Sequence, residues 1–238
     1  MLPMSLYSGH RYPPSIIAHF VYLYHRFCLS FRDVEEMLVF RGIEVSYETV
    51  RQWCKKFGSG FAKKLKKKRG GYGDEWYLDE VFTKINGELC YLWRAVDQDG
   101  DELDILVTKK RDRKAAMKFF RKLFKGQPNK PYKITTDKLR SYKAALNDLG
   151  IKIEHDTAQY ANNISELSHQ KTRSQQRQMR QFKSMGQAQR FLSVHGAVNN
   201  HFRQQRHLMS ASNYRTLRDR RISEWHELTE TSKTELCT

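Results

Sequence analysis

Cysteine is sparse and scattered: Cys28, Cys54, Cys90 and Cys237 stand far apart, with no C-x-x-C pair among them. That spacing excludes a disulfide framework, gives no basis for a tetrahedral zinc site, and predicts reduced thiols. Long hydrophobic runs are missing too. The most apolar stretch, Ile16 to Tyr24, is interrupted by His19 and falls well short of the roughly 20 residues that a bilayer-crossing helix needs. The opening residues lack a charged region followed by an apolar one, so no secretory signal is expected. The chain reads as a cytoplasmic protein with no membrane partner. Internal repeats are absent, and low complexity is confined to one lysine-rich run. Acidic residues are the remaining shortage. Against 43 Lys+Arg there are 26 Asp+Glu, a net charge of +17 spread over most of the chain. Charge of that size and spread points to a long polyanion, nucleic acid above all, and argues against a single basic tail.

What is present is sufficient for folded domains. With 238 residues, 39% of them hydrophobic and 12% aromatic, the chain can bury one sizeable core and a smaller appended one. Three helices are expected in the first sixty residues. Pro13 and Pro14 precede a stripe of Ile16, Ile17, Phe20, Val21, Tyr24 and Phe27. Ser30 caps a second helix with Asp33 in its first turn and Val34, Met37 and Leu38 inward, and Gly42 stands where a left-handed terminator belongs. Ser46 caps a third, with Val50, Trp53 and Phe57 inward. Two helices joined by a short Gly-containing turn behind a leading helix match the helix-turn-helix plan, in which the third helix enters the major groove. Its outward residues, Arg51, Gln52, Lys55 and Lys56 beside Tyr47 and Glu48, would then face bases and phosphates; a plain three-helix bundle with a charged face fits the same pattern. Residues 61–74, with Lys66 and Lys67 in the lysine run, read as a basic Gly-rich linker that touches phosphates.

From Trp76 the apolar period changes to two. The run WYLDEVFTK, an Asn86-Gly87 turn and the run LCYLWRAVD predict a hairpin. A turn near Asp97 leads to a third strand at 102–108. There follow a helix over about 113–125 with Ala116, Phe119, Phe120 and Leu123 inward, a strand ending at Asp137, a helix to Gly150, a strand from Ile151 to His155, and mostly helix from Asn163 to about Glu227. That order predicts an α/β ribonuclease-H-like core, a mixed five-stranded sheet with flanking helices, behind the helix-turn-helix domain.

Three acids sit where such a core could use them. Asp79 lies midway along the first strand, while alternation sends Glu80 to the other face. Asp137 ends the fourth strand, which parallel pairing would place beside the first. Glu166 opens a basic helical stretch. Two strand carboxylates and one helix carboxylate could hold two Mg²⁺ or Mn²⁺ ions for phosphodiester chemistry. Each has a plainer role available: Asp137 could cap a following helix, and Glu166, three residues after Asn163, could close a capping box. Asp79 is harder to dismiss, because a carboxylate inside an apolar strand is costly to bury unpaired.

Several of these segments also carry a family resemblance. The runs SFRDVEEML from Ser30, TVRQW from Thr49, LDEVF from Leu78, YLWRAVDQDG from Tyr91, TTDKLRSY from Thr135, the Asn162-Asn163 pair with Glu166, FKSM from Phe182 and His201-Phe202 resemble the bacterial DDE transposases of the insertion-sequence-six family, across about Leu6 to Trp225. The resemblance implies Asp79, Asp137 and Glu166 as the metal-binding catalytic triad. His169 and Arg173 stand three and seven residues beyond Glu166, on one helical face, as DNA-binding candidates or plain surface residues of a basic helix; the family has a basic residue near the DNA end at the seventh position, where Arg173 stands. It implies recognition of terminal inverted repeats, joining to target DNA through a cointegrate, and a homodimer that brings two ends together. It departs at Ile164-Ser165, where similar proteins have Arg-Ala, and in the diluted basic run after Gln170. Fewer cations there weaken phosphate contacts, so the alternative is a catalytically degenerate DNA-binding relative. The expected division is 1–60 helix-turn-helix, 61–74 linker, 75–185 catalytic core and 186–238 a C-terminal helical region with a disordered tail.

Overall fold

Local signals place the helices at the N-terminal end of the chain. Pro13 and Pro14 start α1 (Pro14–Arg26), as a residue with fixed φ and no N–H can. Ser30 closes a capping box with Asp33 at the start of α2 (Phe31–Val39), and Gly42 ends that turn at φ +72°. The Ser46 hydroxyl accepts from the Thr49 N–H at the head of α3 (Tyr47–Arg69). The computed structural model describes residues 6–27, 29–69, 71–127, 129–137, 139–157, 182–203 and 209–230.

The expected linker at 61–74 is a correction. α3 runs unbroken to Arg69, because Phe61, Ala62 and Leu65 prolong the buried stripe of Val50, Trp53 and Phe57. Apolar residues at helical spacing outweigh the lysine run, whose stems can lie along the helix with their charges in water. Of the expected linker only residues 71–74 are irregular among those described. Within the second helix's expected stripe, Val34 and Leu38 are buried but Met37 is exposed, as is Phe27 after α1.

The sheet contains β1 (Glu75–Ile85), β2 (Glu88–Asp97), β3 (Glu102–Thr108), β4 (Lys133–Thr136) and β5 (Glu154–Asp156). Asn86 and Gly87 both take positive φ, +51° and +81°, in the two-residue turn between β1 and β2. Strand order is β3-β2-β1-β4-β5. β1–β2 and β2–β3 are antiparallel, whereas β1–β4 and β4–β5 are parallel. Helices α4 (Arg113–Lys125) and α5 (Arg140–Asp148) make the crossovers between β3 and β4 and between β4 and β5. This is the ribonuclease-H-like arrangement expected from the element order. The last strand begins at Glu154, later than expected: Leu149 and Ile151 pack against the core first, and Gly150 turns the chain at φ +62°. One face of the sheet buries Trp76, Leu78, Trp93 and Ala95 against Ala116, Phe119, Phe120, Tyr142 and Leu146 of α4 and α5.

Among the described residues two further helices follow, α6 (Met185–Phe202) and α7 (Ala211–Glu230). The chain divides into two compact units, one of residues 1–68 with 197–238 and one of 69–196. The boundary therefore falls inside α6, and 186–238 is not a region of its own. Cys54 and Cys90 are free and buried. Among the described residues no helix is long and apolar enough to cross a membrane.

Candidate metal centre

The parallel register of β1 with β4 builds the site. Leu78 pairs with Thr136, so the next residues, Asp79 and Asp137, follow side by side where the ladder ends. Asp79, Glu80 and Asp137 each offer a carboxylate oxygen, and those oxygens lie within 4.8 Å of one another. Two acids expected to converge are thus adjacent. The third member is one that sequence alternation set apart: Glu80 does lie on the buried face with Trp76 and Leu78, yet its carboxylate reaches the same cluster.

Each acid is held differently. One Asp79 oxygen accepts from the Glu80 N–H at 2.8 Å. Opposite Asp79 on β2 stands Arg94, which pairs with Glu102 at 3.0 Å. Asp137 accepts from the Leu139 N–H at 3.0 Å through one oxygen and from Arg111 at 3.2 Å through the other. It therefore shapes the turn before α5, which starts at Arg140, and is not the cap of a helix beginning at residue 138. Glu80 accepts from the Tyr142 hydroxyl at 2.6 Å and pairs with Arg111. Arg111, in the loop between β3 and α4, thus bridges Glu80 and Asp137.

Burial pushes the Glu80 carboxyl up to about 7, with Asp137 adding to the rise and Tyr142 and Arg111 opposing it. Burial likewise raises the Tyr142 phenol well above its ordinary value, which keeps it a donor to Glu80. Close carboxylates repel one another unless a cation shares them, and Arg111 is a cation that this chain supplies to Glu80 and Asp137. The donors are all hard oxygens, the chemistry that suits Mg²⁺ or Mn²⁺ and not a softer metal. Asp79 and Asp137 fit such an ion. Glu166, His169 and Arg173 lie outside the described residues.

Sequence reading missed Arg111 and the part played by Glu80 and Tyr142. Tyr142 carries no signal beyond its place in the helix that runs to Gly150, and Arg111 sits in a basic run (KKRDRK) where one arginine looks like its neighbours. In the helical unit, Arg51, Gln52, Lys55 and Lys56 all lie exposed on α3, with Lys67 exposed and Lys66 half-buried further along it. Arg51 binds Glu48 through two nitrogens, at 2.7 and 2.5 Å, and Gln52 donates to the same carboxylate at 3.3 Å. Lys56 lies 2.8 Å from the His10 ring. The Arg51 hydrogen bonds, foremost, hold the Glu48 carboxyl down at about 2.

Comparison with known proteins places the chain in a family. Residues 73–205 match a family described as the DDE domain. The chain is similar to the transposase for insertion sequence element IS257 in transposon Tn4003 of Staphylococcus aureus, at 35% identity over 171 residues, which is 70% of this chain and 76% of that protein. The transposase for insertion sequence-like element IS431mec of S. aureus strain Mu50 matches at the same identity and coverage. The solved HTLV-2 integrase catalytic core domain in complex with magnesium (trimeric form) superposes with a TM-score of 0.37 and 16% identity, over 60% of this chain and 92% of that one. The strand order rests on the hydrogen-bonded ladders and not on that likeness.

Proposed function

Since this chain belongs to the insertion-sequence-six family of bacterial DDE transposases, we propose that it binds the terminal inverted repeats of its own element and joins them to target DNA by metal-dependent cleavage and strand transfer, through a cointegrate. The observation that carries this reading is the convergence of the Asp79 and Asp137 carboxylates where the β1–β4 ladder ends. Asp79, Asp137 and Glu166 are the residues that would hold two Mg²⁺ or Mn²⁺ ions. Bound there, the ions would supply a Lewis acid for the phosphodiester and a more acidic attacking water or 3′-hydroxyl.

The chain's own groups have separate tasks. Arg111 holds the Asp137 carboxylate in line with Asp79 by drawing on Glu80, and Tyr142 fixes Glu80 from the core side. Arg51, Gln52, Lys55 and Lys56 read the element end from α3, with Lys66 and Lys67 adding phosphate contacts; His169 and Arg173 would bind the end being joined. Two copies act together, since two ends must be brought to one target.

The test is a strand-transfer assay on an end-bearing duplex. Wild-type protein with Mg²⁺ yields joined product, and Asp79→Asn yields none. Full activity in Asp79→Asn would overturn the catalytic assignment. Binding of the terminal repeat by wild type with no product under any divalent ion would instead identify a degenerate DNA-binding relative.

A further inference from the structure

We propose that a cleft at the start of α4 holds the sugar-phosphate backbone of duplex DNA beside the acidic cluster, as a contact surface separate from the helix-turn-helix. The proposal rests on the reading of DNA as substrate and extends it to residues that neither motif nor resemblance assigns.

The cleft has a volume of about 870 Å³ and is lined by the end of β3, the following loop, the first two turns of α4 and the last residue of α5. Five lining side chains are cationic, Lys109, Lys110, Arg113, Lys114 and Lys118, and two are acidic, Asp112 and Asp148. Both acids already have partners. Asp112 accepts from the Ala115 N–H at 2.8 Å and caps α4, while Asp148 pairs with Arg113. Lys109 is matched by Glu88 at 2.9 Å. Lys110, Lys114 and Lys118 remain exposed with no ion pair among the described residues.

A surface of this kind suits a repeating anion. Lys114 and Lys118 are one helical turn apart, with about 5–6 Å between their Cβ atoms, a spacing that two points along a phosphate chain can match. No acid occurs anywhere in α4 (RKAAMKFFRKLFK), so nothing on the helix opposes them. The cleft also has a position that explains its charge. Asp112, on its wall, directly follows Arg111, whose guanidinium reaches Asp137. An acidic cluster repels an approaching phosphodiester until divalent ions fill it, and fixed cations on the loop and helix that follow Arg111 offset that repulsion.

The experiment compares three full-length proteins on a short duplex of arbitrary sequence, by fluorescence anisotropy across a salt titration. They are wild type, Lys110→Gln/Lys114→Gln/Lys118→Gln, and a charge-matched control, Lys125→Gln/Lys130→Gln/Lys152→Gln, whose lysines are exposed outside the cleft. Each phosphate contact contributes about 0.9 to the slope of log affinity against log salt, so the cleft variant is expected to lose roughly 2 to 3 units of slope. The control keeps the wild-type slope, and all three unfold at the same temperature. In the strand-transfer assay the cleft variant needs more DNA to reach half-maximal rate and keeps its rate at saturation. An unchanged slope in the cleft variant, or an equal loss in the control, overturns the proposal. Activity in Asp79→Asn would sink the catalytic reading and leave the salt result standing, so the two failures are distinguishable.

Discussion

The helical unit fills its interior with rings, whereas the sheet unit threads its interior with opposite charges. In the helical unit Tyr7 stacks on Phe57 with centroids 4.9 Å apart, Phe61 meets Trp225 at 5.4 Å, and Tyr22 meets Phe202 at 4.5 Å. In the sheet unit an aromatic layer under the strands coexists with buried or half-buried pairs: Arg94 with Glu102, Lys122 with Asp104, and Glu80 with Arg111. Rings pack by shape and tolerate many orders along a helix. Buried charges need named partners, so the sheet unit is the more exacting of the two, and its most exacting spot is the acidic cluster.

That contrast can be broken by substitution. The largest loss is expected from Glu102→Ala, which removes the carboxylate from Arg94, itself only 8% exposed. Taking one partner from a buried pair costs about 3–5 kcal/mol, read as a lowered denaturation midpoint. Phe61→Ala in the helical unit leaves a cavity among rings and is expected to cost about 3–5 kcal/mol as well. A partial refilling with a branched aliphatic side chain, Phe61→Leu, should recover much of that loss, whereas Glu102→Gln, of nearly identical shape, should recover little. Equal recovery in the two units would erase the distinction. Tyr142→Phe removes one hydrogen bond to a buried carboxylate, a loss of about 1.5–3 kcal/mol.

A smaller effect sharpens the comparison through pH. Burial holds His201 below its ordinary value of 6.5, while its ring lies 2.9 Å from the Arg221 carbonyl. A depressed histidine is neutral when folded, so its contribution is present above the unfolded value and is lost as pH falls through and below 6.5. Glu80 behaves oppositely. Its folded value of about 7 exceeds the ordinary 4.5, the folded state holds the proton more tightly, and stability declines as pH rises across that window. In metal-free buffer, thermal unfolding of His201→Gln should lose part of the wild-type sensitivity to acid, and Glu80→Gln part of the decline between pH 4.5 and 7. Parallel pH profiles in both variants would contradict the assignment.

The sequence carried the sheet further than the site. Period-two alternation, Asn86-Gly87 and the inward Phe119-Phe120 pair fixed β1, β2 and α4, because each signal is local. The length of α3 was misread, since a lysine run looks like a linker until Phe61, Ala62 and Leu65 are seen to continue the apolar stripe. Asp79 and Asp137 were legible as partners because parallel pairing follows from element order. Arg111 and Tyr142 were not, since bridging between β1, β4 and α5 depends on tertiary placement that no window of neighbouring residues reports.

Binding of Mn²⁺ to the full-length protein, followed by the loss of its free electron-spin-resonance signal, tests the acidic cluster most directly. Wild type should take up the ion, and Asp79→Asn and Asp137→Asn should each weaken uptake at least tenfold with the fold intact. Uptake unchanged in both variants would contradict the assignment of this cluster as the metal centre.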